Sequence, residues 1–483
     1  MQEAQGPAWP HHIGILNDYV RIPYANGSSF ASQRLYREFV RRGHQVTVVG
    51  PHDPLATARE LPRRHLMVPA IPLRNHPGVQ LPLPSRAALR AGVQADFDVL
   101  LGQTGSAFTE YGVFLRLAKR VPFLCVNTIH LPSVYNVVLP DWLNRSARVR
   151  RFLEQWAVPK LEKQAAATYN RSDGLIVLSE GLKHYWQDRG VHVPISVIPR
   201  SIDVQMFEAP GDSDPFDPTA KRGGRLLVLC RHTREKAIAR LLCIFAQQIA
   251  PYAPDATLTL VGDGPDHDAF RALAHELGVA HRTFFPGECA ASMAPVWYRH
   301  ADLFVYTSLS ETYGQVISEA AWCGLPAVAF ADGMGVSHQI EDDETGMLIE
   351  PQPETQANLA FAAATLSLLM NPVRRRAVSE AARRRAQSLC TPQRAIAKHY
   401  EAFELAREHC RSQAPSSTFM ARNRALGRWS VTHMLAYLAG LMRPPAVVNR
   451  HKRLAPLWDE TEQALRDLGL PLQAAPLHEP YVA

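Results

Sequence analysis

The sequence predicts an α/β protein: two doubly wound, Rossmann-like parallel-sheet domains facing a central cleft, followed by a mainly helical C-terminal extension. Three observations predict it. Short apolar, β-branched runs alternate with helical stretches through most of the chain, as parallel sheets covered on both faces require. The alternation is broken once, by a segment rich in Pro, Asp and Gly at 208–224, and then restarts. Finally, Ser308-Leu-Ser-Glu311-Thr-Tyr-Gly-Gln-Val-Ile-Ser-Glu319 sets two carboxylates, with seven residues between them, where a strand gives way to a helix. Open α/β sheets bind ligands at such junctions.

The first set of strands is expected at Ile13–Leu16, Gln45–Val49, Val99–Leu101, Phe123–Val126, Gly174–Leu178 and Ile195–Ile198. After the gap, strands are expected at Arg225–Leu229, Thr257–Val261, Thr283–Phe285, Leu303–Tyr306, Ala327–Phe330 and Met347–Ile349. Each is a short apolar run bounded by turn residues. Thr391-Pro392 starts a further helix, since proline suits the first helical turn. The domain organisation reads as 1–200, 201–391, a crossover helix at 392–410, and a basic, partly amphipathic helical extension at 411–483.

A chain of 483 residues exceeds one hydrophobic core. The composition, 46% hydrophobic and 20% charged, is that of a globular protein rather than a disordered or fibrous one. The net charge of +7 suits anionic partners such as a nucleotide diphosphate or an acidic lipid, without choosing between them. The 7 cysteines are odd in number and scattered, with no Cys-x-x-Cys, so reduced thiols in the cytoplasm are expected. Neither a secretory leader nor a transmembrane run is expected.

Two constellations carry chemistry. Ionised carboxylates only accept hydrogen bonds, so Glu311 and Glu319 suit a ligand rich in hydroxyl groups. In Leu229-Cys-Arg231-His-Thr-Arg-Glu235-Lys236, a strand ends and two cations open the next helix. With the free N–H groups of a helix start they form an anion site, for which a diphosphate is the natural guest. The alternative is a solvated basic loop.

Together these segments resemble glycosyltransferase family 4, the retaining GT-B enzymes. The resemblance rests on the Glu-(x)7-Glu segment, Arg231…Glu235-Lys236, Val261-Gly-Asp-Gly-Pro265, Val197-Ile-Pro-Arg-Ser-Ile-Asp203…Phe207 and Thr128-Ile-His130. These stand in the family's order and spacing across residues 12–410. It implies a nucleotide diphosphate sugar as donor, UDP in preference to GDP, with no cofactor and no metal. Arg231 and Lys236 would hold the diphosphate, Glu311 the transferred sugar and Glu319 the ribose. Backbone N–H groups of Tyr313, Gly314, Gln315 and Val316 would contact the sugar and distal phosphate. His130 would face the sugar across the cleft, and Gly287-Glu288-Cys289 would lie near the base. Gly27 would let the first-domain loop approach phosphate, although the paired glycines of many members are absent there. Cys230 and Ala237 replace glycines common in the family, and neither change removes a charge.

The resemblance also implies transfer of a hexose to an acceptor hydroxyl with retention of configuration. Some relatives act on membrane lipids. Two basic amphipathic stretches, Asp141–Trp156 and Arg422–Arg443, fit an anionic membrane surface, the alternative being helices packed on the protein. The expected location is therefore cytoplasmic, with a peripheral place on the cytoplasmic face of a membrane. No nucleic-acid partner is expected. Glu341-Asp-Asp-Glu344 reads as a solvated turn rather than a metal site. Gly262-Asp-Gly264 reads as a turn rather than a dinucleotide fingerprint, because Gly-x-Gly-x-x-Gly is missing. A soluble or polysaccharide acceptor, or a binding protein without catalysis, are the competing functions.

Overall fold

The computed structural model describes residues 9–20, 27–54, 56, 61–72, 80–83, 85–103, 108–128, 130, 147–152, 155–156, 158–211, 213–309, 311–413 and 419–441. The chain divides into two compact units. The first comprises 1–177, 183–198 and 396–483; the second comprises 178–182 and 199–395.

The first unit holds strands β1 (His12–Leu16), β2 (Gln45–Pro51), β3 (His65–Val68), β4 (Ala70–Pro72), β5 (Gln80–Pro82), β6 (Val99–Gly102), β7 (Phe123–Val126), β8 (Gly174–Val177) and β9 (Ile195–Val197). Seven form one parallel sheet, β3-β2-β1-β6-β7-β8-β9. β4 and β5 form a separate antiparallel pair, Ile71 opposite Leu81. The sequence reading missed β3, β4 and β5. They lack an uninterrupted β-branched run: His65 opens β3, and prolines close β4 and β5.

Ile13, Ile15, Val46, Val48, Val99, Leu101 and Val126 build the core of this unit against Leu35, Phe39 and Val40 of the helix Gly27–Arg41. Ile396, Phe403 and Ala406, from the helix Pro392–Ser412, complete the same core. That helix also makes a polar contact with the sheet's buried carboxylate. Asp173 is fully buried and accepts from Arg116 at 2.6 and 2.7 Å, while His409 lies 3.1 Å away.

The second unit holds β10 (Arg225–Leu229), β11 (Thr257–Val261), β12 (Thr283–Gly287), β13 (Leu303–Tyr306), β14 (Ala327–Phe330) and β15 (Gly346–Ile349). All pair in parallel, in the order β12-β11-β10-β13-β14-β15. The order reverses between β10 and β13, so the crevice beyond Leu229 and Tyr306 is the topological switch point. Leu226, Val228, Leu258, Leu260, Leu303 and Val305 are almost wholly buried, and Ile238, Leu242, Phe245 and Phe361 cover them.

The extension forms the helix Phe419–Leu441 in the first unit, packed on the helix Phe108–Lys119. Trp429 is fully buried there, its ring 5.2 Å from that of Tyr111. At Trp429 this stretch therefore packs on the protein. Val431 is 51% exposed. In the other basic stretch the described residues show a helix at Ala147–Phe152; Trp142 and Arg145 lie outside the described residues.

Candidate active site

At the switch point of the second unit, β10 runs into the loop 230–236 and β13 into the loop 307–314. The first loop is shaped by a glycine turn. Gly262 has φ 138°, and a Cβ there would stand 1.9 Å from the Cys230 carbonyl oxygen. A Cβ at Gly264 would stand 2.3 Å from the His232 carbonyl oxygen. Only glycine allows this approach. The turn then bonds the loop directly, His232 N–H to the Asp263 carbonyl at 3.0 Å and Asp266 N–H to the His232 carbonyl at 3.2 Å. These are the turn residues that the sequence suggested.

The loop ends with Lys236 and then Ala237, whose φ of 52° and ψ of 32° lie in the left-handed region. A non-glycine residue there costs about 1–2 kcal/mol. The resemblance to the family leads one to expect glycine at this position. The Thr307 hydroxyl stabilises the corner, donating to the carbonyls of Lys236 and Ala237 at 3.1 Å each.

Lys236 pairs with Glu311 across the crevice. Their side chains are 18% and 14% exposed. Burial alone would push the ammonium down, but the Glu311 charge and hydrogen bond outweigh it and hold Lys236 above its usual range. Burial likewise works to raise Glu311, and Lys236, Tyr306 and Ser308 more than offset it, holding the carboxyl below its usual range. Both therefore stay charged. Glu311 Oε1 takes the Lys236 ammonium, the Tyr306 hydroxyl at 2.7 Å and the Ser308 hydroxyl at 2.9 Å. Oε2 accepts no hydrogen bond from the described residues.

Arg231 is exposed. Gly314, with φ 72°, caps the helix Gln315–Trp322, so the N–H groups of Gln315 and Val316 stand in its unpaired first turn. The Tyr313 side chain turns inward. It is buried, with its hydroxyl 3.2 Å from the Arg200 carbonyl and 3.1 Å from Cys390 Sγ.

Glu319 lies one turn into the same helix and accepts from the buried Tyr298 hydroxyl at 3.1 Å. Cys289, just after β12, has its thiol pushed up to about 11 by burial and by the charges of Glu288 and Glu319. Glu319 and the 287–289 turn thus share one electrostatic neighbourhood. Glu288 itself is exposed.

A second loop supports the turn from behind. Gly335 packs so closely that a Cβ there would stand 2.5 Å from Tyr313 Cα, and its N–H donates to the Glu311 carbonyl at 3.0 Å. Gln339 Nε2 bonds the Tyr313 carbonyl, the Gly314 carbonyl at 3.1 Å and the Gly335 carbonyl at 3.2 Å. The Asp332 carboxylate accepts from the N–H groups of Met334 at 2.8 Å, Ser337 at 3.1 Å and Val336 at 3.2 Å. Sequence reasoning missed Tyr306, Ser308 and Gln339. Tyr306 and Ser308 flank the strand end before Glu311, a signal that was there to use; Gln339 has none.

In the first unit, His130 follows β7 and is half-buried, its ring edge-on to Tyr185 with centroids 5.0 Å apart. Burial, with the Arg189 charge, pushes the imidazole down to about 4, so it is neutral at physiological pH. Arg189 lies over the Tyr185 ring and 3.0 Å from Glu162, which also accepts from the Tyr185 hydroxyl. Gly27 opens the helix Gly27–Arg41; Asn26 lies outside the described residues. Glu341–Glu344 forms a turn. Glu341 pairs with Arg385, Asp343 with Arg374, and Asp342 accepts from Leu348 N–H at 2.9 Å.

Comparison with known proteins covers both units. The model "Glycosyltransferase Family 4" matches residues 25–206, and "Glycosyl transferases group 1" matches 215–385. A D-inositol 3-phosphate glycosyltransferase of Rhodococcus opacus is 31% identical over 54% of this chain and 58% of its own length. An alpha-monoglucosyldiacylglycerol synthase of Streptococcus pneumoniae is 23% identical over 66% of this chain and 70% of its own. The chain thus spans little more than half the length of the first of these relatives. The structure of Anabaena Alr3699/HepE in complex with UDP and glucose superposes with a TM-score of 0.61 at 17% identity, covering 82% of this chain and 99% of that one. It shares the fold.

Proposed function

Because the chain belongs to the GT-B glycosyltransferases of family 4, we propose that it transfers a hexose from a nucleoside diphosphate sugar to an acceptor hydroxyl with retention of configuration. The observation that carries this reading is the charged Lys236–Glu311 pair at the switch point, with Glu311 Oε2 accepting from none of the described residues and so able to take a sugar hydroxyl. Breaking the bond between C1 and phosphate builds positive charge on the sugar and negative charge on the leaving oxygen. Lys236, Arg231 and the start of the helix Gln315–Trp322 supply positive charge for the phosphates. Glu311 supplies an acceptor-only group to the sugar, and Glu319 serves the ribose. His130, as a neutral imidazole, can donate or accept toward the donor sugar. The cations already present make a metal unnecessary to this scheme, and the leaving phosphate oxygen serves as the base for the acceptor. UDP-glucose is the first donor to test. Slow hydrolysis of it by the purified protein is expected; no turnover of any UDP- or GDP-hexose would refute the reading.

For the acceptor we propose a lipid at an anionic membrane surface. The relatives' names include a diacylglycerol glycolipid synthase. From Cys410 to Trp458 the chain has no Asp or Glu and eight Lys or Arg. An open groove of about 620 Å³ lies against the helix Phe419–Leu441, lined by Gln164, Met420, Arg424, Arg428 and Val431. Phe152, Trp156 and Leu161, in the same unit, are at least half exposed. Apolar side chains set among cations fit an interfacial surface. No helix among the described residues is long and apolar enough to cross a membrane. Sedimentation with phosphatidylglycerol vesicles should capture the protein, and phosphatidylcholine vesicles should capture it less. Neutralising Arg424 and Arg428 together should weaken capture by roughly thirtyfold, at about 1 kcal/mol for each cation. Failure to bind acidic vesicles would favour the soluble alternative, a polyol phosphate, which the inositol phosphate relatives support.

A further inference from the structure

Gln339 stands 26 residues beyond Tyr313 in sequence, yet its amide nitrogen meets three main-chain carbonyls, those of Tyr313, Gly314 and Gly335. Three acceptors around one atom fix the amide orientation, because only the NH2 end can donate. In a trans peptide the carbonyl of one residue and the N–H of the next point in opposite directions. Holding the Tyr313 carbonyl toward Gln339 therefore turns the Gly314 N–H away from it. Holding the Gly314 carbonyl does the same for the Gln315 N–H. The Gly314 carbonyl also accepts from the Ile317 N–H at 2.9 Å, so the helix shares in holding that plane. Among the described residues no second donor meets the Tyr313 carbonyl, and Gly314, in the left-handed region, moves easily out of it.

We infer that Gln339 is a positioning residue, which aims the Gly314 N–H and, together with the helix start, the Gln315 N–H at the distal phosphate and sugar of the donor. This rests on the reading of that turn as the donor site. The rest of the loop serves the same end. Gly335 admits the Tyr313 backbone without a clash, and Asp332 caps the short helix Gly335–Gln339 that carries the glutamine. Arg385 fixes the end of that helix, donating to the Gln339 carbonyl at 2.9 Å and the His338 carbonyl at 3.1 Å. The titratable and charged groups of this layer include Glu311 with its partner Lys236, Tyr313, Cys390, Asp332, His338, Glu341 and Arg385; the Arg385 guanidinium is already engaged by Glu341.

Two variants of the full chain test the inference, with UDP-glucose and UMP as calorimetric probes. UMP lacks both groups that the turn would contact. Gln339→Leu should raise the Kd for UDP-glucose about tenfold and leave that for UMP unchanged. Gln339→Glu places a carboxylate against three carbonyl oxygens. Only its protonated form can donate, so its UDP-glucose affinity should recover as pH falls from 8 to 6, a change the wild type should not show. An unchanged Kd for UDP-glucose in Q339L, equal losses for both probes, or no pH response in Q339E would each overturn the inference. If the wild type binds UMP but not UDP-glucose or any other nucleoside diphosphate sugar, the donor-site reading fails and the inference falls with it. Normal wild-type binding with an indifferent Q339L removes the clamp alone.

Discussion

At the carboxyl end of the second sheet, Lys236 and Glu311 are largely buried and both held in their charged forms. Beyond the carboxyl end of the first, His130 is half-buried and held neutral. Burial opposes charge in all three. The outcome differs because Lys236 and Glu311 meet a partner of opposite sign, whereas His130 faces the aromatic Tyr185 and the like charge of Arg189. The second unit is therefore suited to a charged ligand, and His130 offers the first unit a neutral hydrogen-bonding group.

The largest effect expected comes from breaking the charged pair. Glu311→Ala should lower turnover of the sugar nucleotide by about a thousandfold. It should also cost about 3 kcal/mol of stability by denaturant titration, since Lys236 is left buried without its partner. Near-normal turnover in that variant would remove the assigned role. The pH response of the pair has two ends. Glu311 is held below its usual value of 4.5, so its contribution is present above that value and lost as pH falls through the lowered one. Lys236 is held above 10.5, so its contribution is present below that value and lost as pH rises through the raised one. The stability contributed by the pair should stay flat from pH 5 to pH 10.

A smaller effect is expected at Glu319. Glu319→Gln keeps the shape and removes the charge, so donor affinity should fall about tenfold while turnover of bound donor changes little. A drop confined to turnover would place Glu319 with the reacting sugar instead. The mildest change sharpens the first-unit half of the contrast. Arg189→Met removes the cation beside His130 and leaves the Glu162 charge unbalanced, and both changes raise the imidazole pKa. The acid limb of kcat/KM should then move up from near 4 and stay below the ordinary 6.5, because burial, the larger cause of the lowering, remains. An acid limb that stays in place would mean that His130 does not titrate in catalysis.

The parallel strands of both large sheets were legible wherever four or five apolar residues stood together, because strands buried on both faces need such runs. β11, β13 and β14 lie where the periodicity places them. β3 to β5 were not legible, being short pieces whose pairing partners define them. In the site, Lys236 and Glu311 could be named from sequence because each sits on a strand-to-helix loop of recognisable form. Their direct pairing could not, since 75 residues separate them.

The sequence by itself determined the two-sheet α/β architecture, the family, and which charged residues stand at the carboxyl ends of the strands. These follow from local periodicity and from short motifs, which hydrophobic burial and turn geometry read over a few residues at a time. Only the tertiary structure decided which charges are paired, which titratable groups are neutral and what supports the Tyr313–Gly314 turn. It also turned Trp429 inward against Tyr111. Those outcomes depend on desolvation and on hydrogen bonds between residues far apart in the chain, such as Gln339 and Tyr313, and these exist only once the sheet has brought their loops together.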